Sequence, residues 1–98
     1  MLEKDLEARL KRGVERAGGL CLKWVSPGCT GVMDRIVLLP GGRVIFVELK
    51  KPWGQRSKRQ EWMAIKLVRL NMRVECLCSA EAVDAFLREV VCGGICAP

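Results

Sequence analysis

The sequence predicts an α/β domain in which a mixed central sheet is flanked by helices, with elements in the order αβββαβα. Three observations carry that expectation. Apolar residues recur at helical spacing before residue 18, short β-branched runs in the middle of the chain are separated by Gly and Pro turns, and the second half alternates helix, strand and helix patterns.

The first helix places Leu2, Leu6, Leu10, Val14 and Ala17 on one stripe, and Gly18 and Gly19 end it. A strand around Cys21 follows. IVLLP and RVIFVELK then read as a hairpin with Pro40, Gly41 and Gly42 supplying the turn. Both runs are apolar on both faces, as expected of central strands covered from two sides. After the polar loop KPWGQR, Ser57 opens a helix running to about Leu70, with Trp62, Ile65, Leu67 and Leu70 as its buried side. Residues 73–78 give a fourth strand, and residues 79–91 a closing helix with Ser79 at its N-cap and Val83, Phe86, Leu87 and Val90 inward. Residues 1–91 form one domain, and the tail 92–98, with Gly93, Gly94 and a terminal proline, is expected to be flexible.

The hairpin also carries charge chemistry. Side chains alternate along a strand, so Glu48 and Lys50 share one face. A three-residue loop sets Leu39 opposite Arg43 and, counting outward, Asp34 opposite Glu48; a two-residue loop would place Asp34 opposite Leu49, on the other face. The paired carboxylates require the odd loop or a bulge. Two adjacent carboxylates repel unless a proton or cation lies between them. Hard oxygen ligands with water completing the shell suit Mg²⁺ or Mn²⁺ acting on a phosphate, and Lys50 would hold the attacking water or steady charge at phosphorus. The same triplet also arises on any amphipathic strand with a solvated polar face.

An acid in the first helix, an aspartate opening a strand and E-x-K in the next strand together resemble the PD-(D/E)xK nucleases. More narrowly, LCLKWVSPGCTGVMDRIVLLPGGRVIFVELKKP followed by Gln60 resembles the VRR-NUC domain, a compact form of that restriction-endonuclease-like fold, over about residues 2–90. The family usually has a proline before the aspartate, where this chain has Met33. The resemblance implies a three-layer nuclease fold, with Asp34, Glu48 and the backbone carbonyl of Leu49 as metal ligands and Lys50 as the catalytic lysine. It also implies a first-helix glutamate at the metal, Glu7 by its distance from the terminating glycine or alternatively Glu3, and Gln60 close to the active site. Residue by residue, Glu7 equally suits an i, i+4 pair with Lys11, and Gln60 a capping box with Ser57.

The net charge of +6 is unevenly placed. Residues 50–73 carry eight Lys or Arg against Glu61 alone, a net +7. Lys51, Arg56, Lys58 and Arg59 in this field suit a polyanion held through its phosphates. Trp53, in a Pro/Gly loop, either stacks on a base or packs beneath the loop. The chain has no histidine, which excludes Ser-His and Cys-His nucleophiles and histidine-metal nucleases. Its six cysteines show neither a CxxC pair nor an accompanying export signal, so they are expected to be thiols, with Cys21, Cys76 and Cys78 serving as small apolar strand residues. No apolar run approaches a membrane span, and the charged start is not a signal peptide; an intracellular protein is expected.

Together these readings predict a Mg²⁺- or Mn²⁺-dependent, structure-selective DNA endonuclease without an organic cofactor. By resemblance to stand-alone family members it would resolve Holliday junctions as a homodimer. The alternatives are a monomeric flap or nicking nuclease and a non-catalytic DNA-binding module.

Overall fold

In the computed structural model, which describes residues 3–24, 35–50 and 58–95, the chain builds α1 (Glu3–Arg16), β1 (Leu20–Lys23), β2 (Arg35–Leu39), β3 (Arg43–Leu49), α2 (Lys58–Arg69), β4 (Arg73–Leu77) and α3 (Ala80–Ile95). The order is αβββαβα. The four strands lie side by side in sequence order, β1 to β3 antiparallel and β3 to β4 parallel, because the last connection passes through α2.

The hairpin loop has three residues. Leu39 pairs with Arg43 and the register runs on to Arg35 opposite Val47. Gly41 and Gly42 take φ of 87° and 74°, a region that L side chains rarely occupy, and Arg43 Nε donates to Pro40 O at 3.2 Å.

The strand period assigns the layers. Val37, Leu39, Ile45, Val47, Leu49 and Leu77 point to one side, where Leu6, Leu10 and Val14 of α1 and Val83, Phe86 and Val90 of α3 complete the main core. Alternate residues point to α2, where Phe46, Val74 and Trp24 pack with Ala64 and Leu67. The Trp24 and Phe46 rings are 5.1 Å apart at 45°. Arg9 of α1 grips Asp84 of α3 with two 2.7 Å hydrogen bonds. On the same side, Arg73 pairs with Glu75 at 2.9 Å and with Glu89.

Two helices close with the same device. In α1, Gly18 N donates to Glu15 O at 3.0 Å and Gly19 N to Val14 O at 2.9 Å, with Gly18 at φ 84°. In α2, Asn71 N donates to Val68 O and Met72 N to Leu67 O, both at 2.9 Å, with Asn71 at φ 64°. Both are Schellman caps, and Met72 packs with Leu67 as that motif favours. Ser79 caps α3, its Oγ accepting from Ala82 N at 3.0 Å.

Several expectations need correction. Trp62, Ile65 and Leu70 are exposed; Ala64 and Leu67 form the buried side of α2 instead. The helical spacing admits either stripe, and docking on Phe46 and Val74 selects the second. On the α2 side Ile36, Leu38, Val44 and Phe46 are only half-buried and Leu20 and Leu22 are exposed, so cover is less complete there than two apolar faces suggest. The backbone of α3 continues to Ile95 through Gly93 and Gly94, past the expected end at Val91. Glycine in a helix costs about 1 kcal/mol but does not forbid it. Residues 96–98 lie outside the described residues. Cys76 is exposed in β4, and Cys78 lies one residue beyond that strand. No helix among the described residues is long and apolar enough to cross a membrane.

A Cβ added at Gly19 would lie 2.3 Å from the Leu38 carbonyl oxygen, which is fixed in the sheet. Gly19→Ala should therefore cost about 1–3 kcal/mol in denaturant unfolding. The Arg9 hydrogen bonds and charge hold the Asp84 carboxyl below the usual carboxylate range. A lowered folded-state pKa stabilises the protein above the unfolded pKa, and that contribution is lost as pH falls through the folded value. Thermal melts from about pH 5 to about pH 2 should show a smaller acid loss for Asp84→Asn than for the parent chain.

Candidate active site

The strand end of β3 carries the distinctive chemistry. Glu48 is 0% exposed, a carboxylate enclosed where Val47 and Leu49 on either side belong to the main core. The strand period turns Glu48 toward the α2 side, in line with Phe46. A buried carboxylate requires compensating charge. Lys50 supplies some of it: its Nζ stands 3.5 Å from Glu48 Oε1, while the side chain remains partly open to solvent. Lys50 is held by its backbone, with N donating to Leu77 O at 3.1 Å and extending the β3–β4 pairing by one step. The result is a rigid pair, one end buried and one end wet.

Arg35 belongs to the opposite face, in line with Val37 and opposite Val47. Its guanidinium pairs with Glu7 of α1. The structure thus brings Glu48 and Lys50 together on one side of the sheet and Glu7 and Arg35 on the other. The partner of Glu7 is Arg35, a residue the spacing to Lys11 did not point to. Leu49 lies between the two faces, its side chain buried in the main core.

Gln60 occupies the first turn of α2, half-buried, with Lys58 and Arg59 exposed beside it. Lys58, Arg59 and Trp62 line a shallow hollow of about 330 Å³. Trp62 is 53% exposed, and Lys66 Nζ lies 4.2 Å from its ring centre. Sequence reasoning placed this ring in the core; its neighbours at i−4, i−3 and i+4, all basic, were the available signal.

Asp34, Lys51, Trp53 and Arg56 lie outside the described residues, as does the side chain of Glu3. Among the described residues no three His, Cys, Asp or Glu side chains converge as a metal site.

No family model matches the sequence. A solved structure of a "VRR_NUC domain" superposes with a TM-score of 0.83 and 26% identity, covering 88% of this chain and 94% of that one. The chain has the fold of a VRR-NUC domain. The phage protein "Putative nuclease p44" of Acyrthosiphon pisum secondary endosymbiont phage 1 is 50% identical over 50 residues, which cover 51% of this chain and 54% of that protein. The chain thus spans about half the length of this curated relative. The four-stranded sheet sets Glu48 and Lys50 side by side at one strand end.

Lys50→Met removes the ammonium beside a buried carboxylate and should lower unfolding stability by about 1–3 kcal/mol. Adding Glu48→Gln should recover much of that loss, because the amide needs no counter-charge. Additive losses in the double variant would show that the two groups do not interact.

Proposed function

We propose that this chain is a nuclease of the VRR-NUC family, a Mg²⁺- or Mn²⁺-dependent DNA endonuclease that resolves four-way junctions as a homodimer. The observation that carries the reading is the buried Glu48 beside Lys50 at the end of β3, in a chain that superposes on a VRR_NUC domain. The name of the phage relative points to the same chemistry.

The donor set fits a hard divalent cation: carboxylate and carbonyl oxygens, with no histidine in the chain. The hairpin parity expected from the sequence, an odd loop, would set Asp34 opposite Glu48. Asp34, Glu48 and the Leu49 carbonyl would hold the ion, with Glu7 the first-helix contributor and Glu3 its alternative. The Glu7–Arg35 pair would have to open or be shared for Glu7 to serve. A bound divalent ion supplies Lewis acidity at the scissile phosphate and offsets the paired carboxylates.

Lys50 has the central protein role. Its ammonium, fixed beside Glu48, donates to the attacking water and favours negative charge developing at phosphorus. Gln60, on the first turn of α2, would orient water or a phosphate oxygen at the site. Lys51, Trp53, Arg56, Lys58 and Arg59 hold the DNA, chiefly by its backbone. Trp62, exposed beside Lys58 and Arg59, joins this set as a ring on which an unpaired base can stack.

The test is cleavage of an immobile four-way junction beside duplex, flap and splayed-arm DNA, with Mg²⁺, Mn²⁺ or EDTA. Paired symmetric nicks in the junction are expected, abolished by EDTA and reduced about 10²–10³-fold or more in Glu48→Gln and Asp34→Ala, with DNA binding retained. Metal-dependent cleavage of flaps alone would keep the site and overturn the junction reading. Binding without cleavage in any metal would leave a DNA-binding module.

A further inference from the structure

The side of α2 turned away from the core presents an apolar ledge. Ala64, Ile65, Val68 and Val74 of β4 line an open groove of about 670 Å³, bounded by Glu61 and Arg69. Ile65 is 54% exposed and Val68 57%, more than a packed helix leaves on its apolar residues. Glu61, Ile65 and Val68 follow the i, i+4, i+7 spacing of a helix–helix seam.

The charges on this seam are arranged symmetrically about Ile65. Glu61 precedes it by four residues and Arg69 follows it by four. Neither forms an ion pair among the described residues, and two turns of helix separate them, so they do not serve each other. In a two-fold interface, residue i meets j of the partner while j meets i. An antiparallel copy of α2 crossing at Ile65 meets that condition. Each Glu61 faces the partner's Arg69, and the Ile65 side chains meet on the axis with Val68 beside them.

We propose that a second copy of this chain docks on this ledge, α2 against α2 antiparallel, with Ile65 on the two-fold axis and Glu61–Arg69 pairs closing both ends. The proposal deepens the homodimer part of the function given above by assigning its surface. DNA is the poorer occupant, since the ledge is apolar and Glu61 lies within it. Lys58, Arg59 and Trp62 flank the seam and remain open to nucleic acid. The two Gln60 positions come to lie about 15 Å apart along the helix direction, on opposite sides of the axis.

Sedimentation equilibrium of the full chain reads the outcome directly. The parent chain should have twice the 10.9 kDa chain mass. Ile65→Asp, Glu61→Arg and Arg69→Glu should each shift the mass toward the single chain, with the far-ultraviolet circular dichroism spectrum at 25 °C unchanged because all three sites are exposed. The decisive measurement mixes two variants. Glu61→Arg alone sets arginines at both seam ends and Arg69→Glu alone sets glutamates, but an equimolar mixture pairs opposite charges at both ends and should restore the dimer. A mixture that stays monomeric, or single variants that stay dimeric, would overturn the proposal. So would a monomeric parent chain whose junction binding weakens with Ile65→Asp, which would assign the ledge to DNA. A dimer that follows this pattern yet cleaves nothing would overturn the nuclease reading alone, and a monomer that cleaves would overturn the dimer alone.

Discussion

Parity in the β2–β3 hairpin is the constraint on which the remaining structure depends. Three residues, Pro40, Gly41 and Gly42, turn the chain, and two positive φ angles make that count possible. With this loop Val37, Leu39, Ile45 and Val47 all fall on the side covered by α1 and α3, and Glu48 falls on the other. A loop one residue shorter would reverse one strand relative to its partner. Half the core would then be lost. The same turn therefore sets both the packing and the face on which Glu48 falls.

Burial of Glu48 is the main departure from a simple packed core. A side chain of this kind is seldom fully enclosed, and here it is enclosed between residues that are themselves core. The sheet tolerates it because Lys50 follows two residues later on the same face, its backbone anchored to Leu77 O. Placing the pair on a strand end, with α1, α3 and β4 fixing the backbone, holds both groups without a mobile loop. Arg9–Asp84 ties α1 to α3, and Arg73, paired with Glu75 beside it, ties β4 to Glu89 of α3.

The second helix serves two surfaces. Its inner stripe is small, Ala64 and Leu67, and covers only part of the sheet. Its outer residues divide into a basic and aromatic side, Lys58, Arg59 and Trp62, and an apolar side, Ile65 and Val68 bounded by opposite charges. A helix this apolar on its outside is not required by the core of one chain.

Local rules in the sequence determined the elements and their order. The leucine stripe of α1, the glycines that cap it, the hairpin turn, the Ser79 cap and the shared face of Glu48 and Lys50 all follow from short-range geometry, which a linear pattern encodes directly. So did the concentration of positive charge after Lys50. Tertiary structure decided what spacing leaves open. Residues 62, 65 and 70 suit a buried stripe of α2 as well as 64 and 67 do, and only the position of Phe46 and Val74 beneath the helix chose between them. Glu7 suited Lys11 in the sequence, yet the sheet brought Arg35 to it from 28 residues away. Propensities act over a few residues, whereas burial and charge pairing act between segments that only the fold brings into contact.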